Sequence, residues 1–268
     1  MTASERSPQL SSLTVVLPAH DEAANLPHVL EDARKHLPTV AKAWEIVVVD
    51  DGSTDTTPDL MAELTLLEPR VRSVRHMTCR GYGASLRTGI EAARMEYVFM
   101  TDADRQFGFE PLPAFVAPLA RGEADAVLGW RSPRADSWWR RQLGGAWTSL
   151  AARLLGVRLR DANCAYKLLP TNVALALKLE STGGAVSVEI AALMKRAGAQ
   201  FAERPVPHAP RLQGVPSGGS PTVALRALVE LAALERRLRT ADPSPIRIAI
   251  DRARTRVDEP CADAQQEQ

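Results

Sequence analysis

The chain has 268 residues, 45% of them hydrophobic and 24% charged, with a formal net charge of +1. That length suits one α/β-sized domain or one domain plus a tail, and the near-zero charge gives no overall pull toward nucleic acid. Cys79, Cys164 and Cys261 form neither a disulfide framework nor a zinc spacing, which points to a reducing, cytoplasmic compartment; with no signal-peptide core and no apolar run near the ~20 residues of a membrane span, any membrane contact is expected to be peripheral, at the inner face.

Residues 1–11 are expected to be disordered. Leu13–Pro18 (LTVVLP) reads as the first strand, followed by a helix from Asp21 to Leu37 with Leu26, Val29, Leu30, Ala33 and Leu37 at helical spacing. Glu45–Asp55 (EIVVVDDGSTD) is a second buried strand running into a polar loop. A helix through Leu60, Leu64 and Leu67 follows, then a brief third strand, VRSV, and a Gly-rich turn opening a helix over Gly81–Met95. Tyr97–Thr101 is the fourth strand and Asp125–Trp130 the fifth. This alternation predicts an α/β fold, a mostly parallel central sheet with helices on both faces. Ligands bind such sheets beyond the carboxyl ends of the strands, where PAHDE, DDGSTD and DADRQ fall.

The second half is less regular. Ser137–Leu155 is a helix carrying Trp138, Trp139 and Trp147; Asp161–Pro170 is a mixed strand and turn; two helices separated by TGG fill residues 171–198. Gln200–Pro207 is expected at a sheet edge, because its prolines cannot donate to a central ladder. Arg211–Pro221 is a loop, Val223–Leu238 an apolar helix, and the chain end a disordered tail. The expected organisation is therefore a disordered segment 1–11, a main domain 12–221, an amphipathic helix 222–240 and a mostly disordered tail 241–268.

Asp102 and Asp104 sit one residue apart where a buried strand meets a loop. Alternate residues of an extended segment point the same way, so these carboxylates can converge. Like charges that close repel unless a proton or cation lies between them, and one or two carboxylates plus substrate phosphates is a common magnesium or manganese arrangement. Gln106 could add a neutral oxygen. An isolated D-x-D is more often a solvated acidic turn; two other acidic loops in register favour the cation. Asp50 or Asp51 could accept hydrogen bonds from a base ring N–H or from ribose, with Ser53, Thr54 or Asp55 capping the next helix. Pro18 and Ala19 would let a base or ribose approach, Asp21 would cap the helix, Glu22 would be left for the nucleotide, and His20 reads as a loop residue. Gly81 and Gly83, with Arg87 one turn inside the helix, suggest a phosphate site; a close helix–strand crossing explains those glycines equally well.

In this order, VVLPAHDEAANL, EIVVVDDGSTD, GYGASLRTGI, MTDADRQF, DANCAYKLL, GAVSVEI and ERPVPHAPRLQG resemble the family-2 glycosyltransferases of GT-A fold, and within them the dolichyl-phosphate mannose synthase and polyprenyl-phosphate sugar transferase branch. The resemblance covers roughly Leu13 to Gly219. It implies an inverting, metal-dependent transferase that moves one sugar from a nucleotide-diphosphate sugar, of the GDP-mannose or UDP-glucose type, to a polyprenyl or dolichyl phosphate. It implies that Asp102, Asp104 and Gln106 hold Mg2+ or Mn2+ and the donor diphosphate, and that Pro18, Ala19, Glu22 and Asp50 or Asp51 surround the nucleoside. Arg131, Arg141 and Arg211 are its candidates for anionic contacts, and Glu189 falls near the acceptor side. The first motif departs from the family in reading HDE where an aromatic residue and Asn-Glu are usual. The Gln-x-x-Arg-Trp motif of processive synthases is absent, which favours single transfer.

A phosphate acceptor is already ionised and needs arginines to position it, whereas a small-molecule or protein hydroxyl needs a carboxylate base, with Asp161 and Glu189 as candidates. The arginine-rich stretch 131–160 favours phosphate. Trp139, Leu143, Trp147, Leu150 and Leu154 recur at helical spacing beside Arg140, Arg141 and Arg153. That stripe fits either a bilayer surface or ordinary core, and Val223–Leu238 has the same two readings plus a homodimer contact. A non-catalytic nucleotide-sugar-binding module is the alternative outside enzymes.

Overall fold

The computed structural model describes residues 8–134, 138–211 and 221–258, apart from the side chains of residues 134, 138–141, 143, 221–224 and 257–258. Among the described residues a seven-stranded sheet runs β3-β2-β1-β4-β6-β5-β7. Its strands are β1 (Leu10–Ala19), β2 (Ala41–Asp51), β3 (Val71–His76), β4 (Tyr97–Met100), β5 (Ala126–Arg134), β6 (Lys167–Pro170) and β7 (Phe201–His208). β1 pairs in parallel with β2 and β4, and β2 with β3. β6 is antiparallel to both β4 and β5, and β7 is parallel to β5 at the far edge. The edge position of β7 accommodates Pro205 and Pro207.

The helices are α1 (Leu26–Val40), α2 (Thr57–Leu67), α3 (Tyr82–Ala92), α4 (Leu112–Ala120), α5 (Trp138–Leu155), α6 (Thr171–Ala176), α7 (Val186–Arg196), α8 (Pro221–Thr240) and α9 (Ser244–Asp258). Strand side chains alternate between two apolar layers, as the two-residue period requires. Val15, Leu17, Phe99, Val127 and Leu168 face a layer with Leu26, Leu30, Leu37 and Phe115. Val16, Val98, Met100, Leu128 and Leu169 face the other, with Leu86, Ile190, Leu234 and Ile250. Tyr166 anchors the first layer edge-to-face against Phe99 and Phe115, with ring centroids 4.4 and 4.7 Å apart.

Two expectations change at the chain ends. Leu10 and Ser11, expected to be disordered, already belong to β1. The segment expected as a disordered tail contains α9, whose Ile246, Ala249 and Ile250 are buried in the second layer. Arg254 of α9 also forms two 2.7 Å hydrogen bonds with the buried carboxylate of Asp125. The polar composition of that helix hides the few apolar positions that dock it. Residues 1–7, 212–220 and 259–268 lie outside the described residues, and the side chains of Trp138, Trp139, Arg140, Arg141 and Leu143 likewise.

Because Ile250 is buried in the second apolar layer, Ile250→Ala is expected to cost about 2–4 kcal/mol of stability, read as a lowered melting temperature. An unchanged melting temperature would remove α9 from the core.

Candidate active site

The carboxyl ends of β1, β2 and β4 converge on one edge of the sheet, because their registers align Ala19 with Asp50 and Val16 with Met100. Loop to loop, the site is stitched by carboxylates. Asp21, in a left-handed backbone conformation, does not cap its own helix; it accepts from the N–H groups of Thr54 (2.8 Å) and Asp55 (3.2 Å) across the next loop. Asp55 accepts from Thr57 N at the start of α2, and His20 bonds the Asp51 carbonyl as a loop residue.

The two neighbouring aspartates of β2 have different tasks. Asp50 is buried; its Oδ1 accepts from Ser53 N at 2.9 Å, and its Oδ2 faces Arg75 Nε at 3.2 Å as an ion pair without an aligned hydrogen bond. Asp51 is wholly occupied. It accepts from His76 Nδ1 (2.7 Å), Arg80 N (2.9 Å) and Gly81 N (2.7 Å), and Cys79 Sγ lies 3.3 Å away. Burial works against its charge, but the bonds from His76 and the two backbone N–H groups more than offset it, so the carboxyl sits below its usual range. Of the pair, Asp50 holds Ser53 and pairs with Arg75, and Asp51 secures the loop leading into α3.

That loop corrects the phosphate reading of Gly81, Gly83 and Arg87. Gly81 N is spent on Asp51 and Gly83 N on Thr182 O at 2.8 Å, so neither is offered to a ligand. Arg87 donates to Leu179 O at 2.8 Å. The glycines are there because the 179–183 segment crosses the start of α3. A Cβ at Gly83 would lie 2.2 Å from Ser181 O, and one at Gly81 2.5 Å from Thr182 O. Glu189 is corrected as well. It is 1% exposed, its two oxygens accept from Glu180 N and Ser181 N at 2.9 Å each, and Arg237 of α8 pairs with it. With every acceptor engaged beneath α8, it anchors a loop and is no free base.

Asp102 and Asp104 leave β4 through a turn in which Arg105 takes a left-handed conformation. Burial and the adjacent Asp104 charge push the Asp102 carboxyl up to about 7, opposed by Tyr82, Lys167 and Arg131. The Tyr82 hydroxyl is buried toward Asp102 without a well-aligned bond, and burial followed by that carboxylate raises it well above its ordinary range. Asp104 Oδ1 accepts from Gln106 N at 3.1 Å, while its Oδ2 faces Arg211 Nη1 at 3.4 Å. Arg211 also pairs through Nη2 with Glu22, which accepts from Asn25 Nδ2 as well (2.6 Å). Burial raises the Glu22 carboxyl, helped by Asp104 and opposed by Asn25 and Arg211. Gln106 turns its amide nitrogen to Ala209 O at 3.0 Å, so only its carbonyl oxygen remains to serve as a metal ligand. A half-buried carboxylate, Asp102, and a buried one, Asp104, the first pushed up to about 7 by burial and then by its neighbour's charge, suit a divalent cation.

On the antiparallel side, Arg131 makes a bidentate pair with Asp161, Nε–Oδ2 2.7 Å and Nη2–Oδ1 3.0 Å. Asp161, a candidate base in the sequence reading, therefore serves to orient Arg131. Lys167 was not singled out from sequence. It is buried, donates to Cys164 O, and has Asp161 and Asp102 as its acidic neighbours. Burial lowers its ammonium, and pushes the Cys164 thiol up to about 12. A lone lysine opening the otherwise apolar strand KLLP is the signal that could have found it. Pro18 and Ala19 end β1 next to Val49 and Asp50, lining the floor of the same edge.

Residues 14–172 match the model of glycosyl transferase family 2. The chain is 29% identical over 174 residues to dodecaprenyl-phosphate galacturonate synthase of Rhizobium johnstonii, covering 64% of this chain and 51% of that protein. It is 33% identical over 175 residues to undecaprenyl-phosphate 4-deoxy-4-formamido-L-arabinose transferase of Pseudomonas aeruginosa, covering 63% and 51%. It thus spans about half the length of these curated relatives. Among solved structures it resembles glucosyl-3-phosphoglycerate synthase from Mycobacterium tuberculosis in complex with Mn2+ and UDP-glucose, with TM-score 0.63 and 20% identity over 86% of this chain and 80% of that one. It also resembles the mannosyltransferase PcManGT from Pyrobaculum calidifontis in complex with GDP-Man and Mn2+, with TM-score 0.58 and 19% identity over 93% and 70%. The α/β architecture is that of the GT-A fold.

Two outcomes follow for this site. Gly83→Ala is expected to lower stability by about 1–3 kcal/mol, because its Cβ meets backbone; a melting temperature equal to wild type would restore the phosphate reading. Asp102 keeps its proton to about pH 7 in the folded chain but releases it near pH 4 when unfolded. Its ionisation therefore costs stability progressively from about pH 4 to 7. Asp102→Asn is expected to stabilise the metal-free chain by about 1–3 kcal/mol at pH 8 and to gain almost nothing near pH 4. A gain independent of pH would mean that Asp102 is solvated.

Proposed function

The chain belongs to glycosyl transferase family 2, and on that premise we propose that it transfers one sugar from a nucleotide-diphosphate sugar to a polyprenyl phosphate at a membrane surface. The observation carrying this reading is the pair of carboxylates just after β4, half-buried Asp102 and buried Asp104, the latter facing Arg211. Asp102 and Asp104, with the carbonyl oxygen of Gln106, would hold a magnesium or manganese ion. When bound, such an ion neutralises charge developing on the leaving diphosphate. Asp50, buried at the end of β2 beside Ala19, would accept from a nucleoside ring N–H in exchange for part of its pairing with Arg75, with Pro18, Ala19 and Glu22 as the other candidates for the nucleoside.

The acceptor reading gains support from the two carboxylates that would have served a hydroxyl. Asp161 is committed to Arg131 and Glu189 to the 180–181 backbone and Arg237. A hydroxyl nucleophile would need one of them free to take its proton; a phosphate arrives ionised and needs orientation. Asp161 pre-orients the Arg131 guanidinium, and its rigid planar fork suits a phosphate. Arg141 is a further candidate on α5, its side chain lying outside the described ones. For the prenyl chain, exposed Leu225, Leu228 and Val229 of α8 and Leu154 of α5 offer apolar surface. No helix among the described residues is long and apolar enough to cross a membrane, which suits docking by such faces. The curated relatives are named for dodecaprenyl- and undecaprenyl-phosphate products or acceptors.

The test is incubation with a panel of labelled UDP- and GDP-sugars, Mn2+ or Mg2+, and polyprenyl phosphate. Label extracted into organic solvent is expected, and Asp104→Ala is expected to lower it by at least about 100-fold with an unchanged circular dichroism spectrum. Label transferred only to water-soluble hydroxyl acceptors would overturn the phosphate assignment.

A further inference from the structure

Arg211 spans two carboxylates contributed by distant parts of the chain, Glu22 after β1 and Asp104 after β4. All three side chains are largely buried, at 19%, 7% and 10% exposure for Arg211, Glu22 and Asp104. The backbone near Arg211 is pinned to the Asp104 turn in both directions. Ala209 N donates to Gln106 O at 2.9 Å, and Gln106 Nε2 donates to Ala209 O at 3.0 Å. The backbone that carries the guanidinium is thus held beside the Asp104 turn, so any exchange of partners falls to the side chain itself.

We propose that Arg211 is an internal counter-ion that competes with a divalent cation for Asp104, so that loading the cation releases Arg211 to an anionic substrate. This rests on the reading above that Asp104 binds the cation. The physical ground is charge balance. Before loading, Glu22 and Asp104 are buried carboxylates that a guanidinium neutralises; unpaired, they would repel each other at low dielectric. A cation on Asp104 repels the same guanidinium, and a phosphate is an anion that the guanidinium's planar fork can take in exchange for Asp104. By linkage, a phosphate that captures Arg211 must favour cation binding by the same factor. Cation and anionic acceptor then bind cooperatively through one side chain, with no movement of the sheet.

The experiment measures Mn2+ binding to the full chain without nucleotide, by the paramagnetic resonance of free Mn2+, for wild type, Arg211→Gln and Asp104→Asn. It is repeated with geranyl phosphate, a soluble short prenyl phosphate. Arg211→Gln is expected to bind Mn2+ about tenfold more tightly than wild type, and Asp104→Asn to lose binding. Geranyl phosphate is expected to tighten Mn2+ binding by wild type and to leave Arg211→Gln unchanged. Equal or weaker Mn2+ binding by Arg211→Gln overturns the competition while leaving the cation site standing. Wild-type binding by Asp104→Asn overturns the cation site itself. Circular dichroism melts accompany each variant. If Arg211→Gln unfolds, Arg211→Lys replaces it, because an ammonium lacks the planar fork with which the guanidinium spans both carboxylates and holds them less well; a gain of about threefold is expected, and none overturns the proposal.

Discussion

The site is organised around a repulsion. Asp102 and Asp104 follow a buried strand end, where burial together with the adjacent Asp104 charge pushes the Asp102 carboxyl up to about 7. Every charged group nearby makes sense as a response to that strain. Arg211 reaches Asp104 and Glu22 from the far end of the domain, and Lys167 lies buried beside Asp102. A fold that spent these contacts on stability alone would do better with apolar side chains there. In the proposed reading the arrangement is kept because the negative charge serves a ligand that is itself positive, and through it an anion.

Positive and negative groups alternate across the carboxyl edge of the sheet, through Asp102, Lys167, Asp161 and Arg131. Here the antiparallel strand β6 matters. It lies between β4 and β5 and aligns Lys167 with both Met100 and Leu128. A lysine at the start of that strand therefore stands between the aspartates following β4 and the arginine of β5. The donor and acceptor halves of the proposed reaction are joined electrostatically through one buried ammonium.

A second network makes no contact with the proposed chemistry and supports it from behind. Glu189 and Glu230 hold the 180–183 backbone, Arg237 of α8 closes over it, and that segment presses on the start of α3. Asp51 secures the other side of the same loop. Conspicuous glycines and acids, the residues that motif reading sends to ligands, here shape and fasten a crossing. Close backbone approach requires glycine whether the approaching group is a phosphate or a carbonyl, so composition alone does not separate the two.

The order of strands and helices, the edge position of β7 and the grouping of three acidic loops at one end of the sheet were legible in the sequence. They depend on local periodicity and on prolines, which act within a few residues of themselves. The closeness of Asp102 and Asp104 was legible for the same reason, since they stand one residue apart, although the structure holds them in the turn after β4 and not in an extended strand. What each remaining polar side chain does was decided only by tertiary structure. Asp161, Glu189, Gly81, Gly83 and Arg87 took structural partners far along the chain, Lys167 acquired its acidic neighbours, and α9 joined the core with few apolar residues. Hydrogen bonds and ion pairs depend on which groups the fold brings within about 3 Å, and separations of tens to nearly two hundred residues leave no local trace of that.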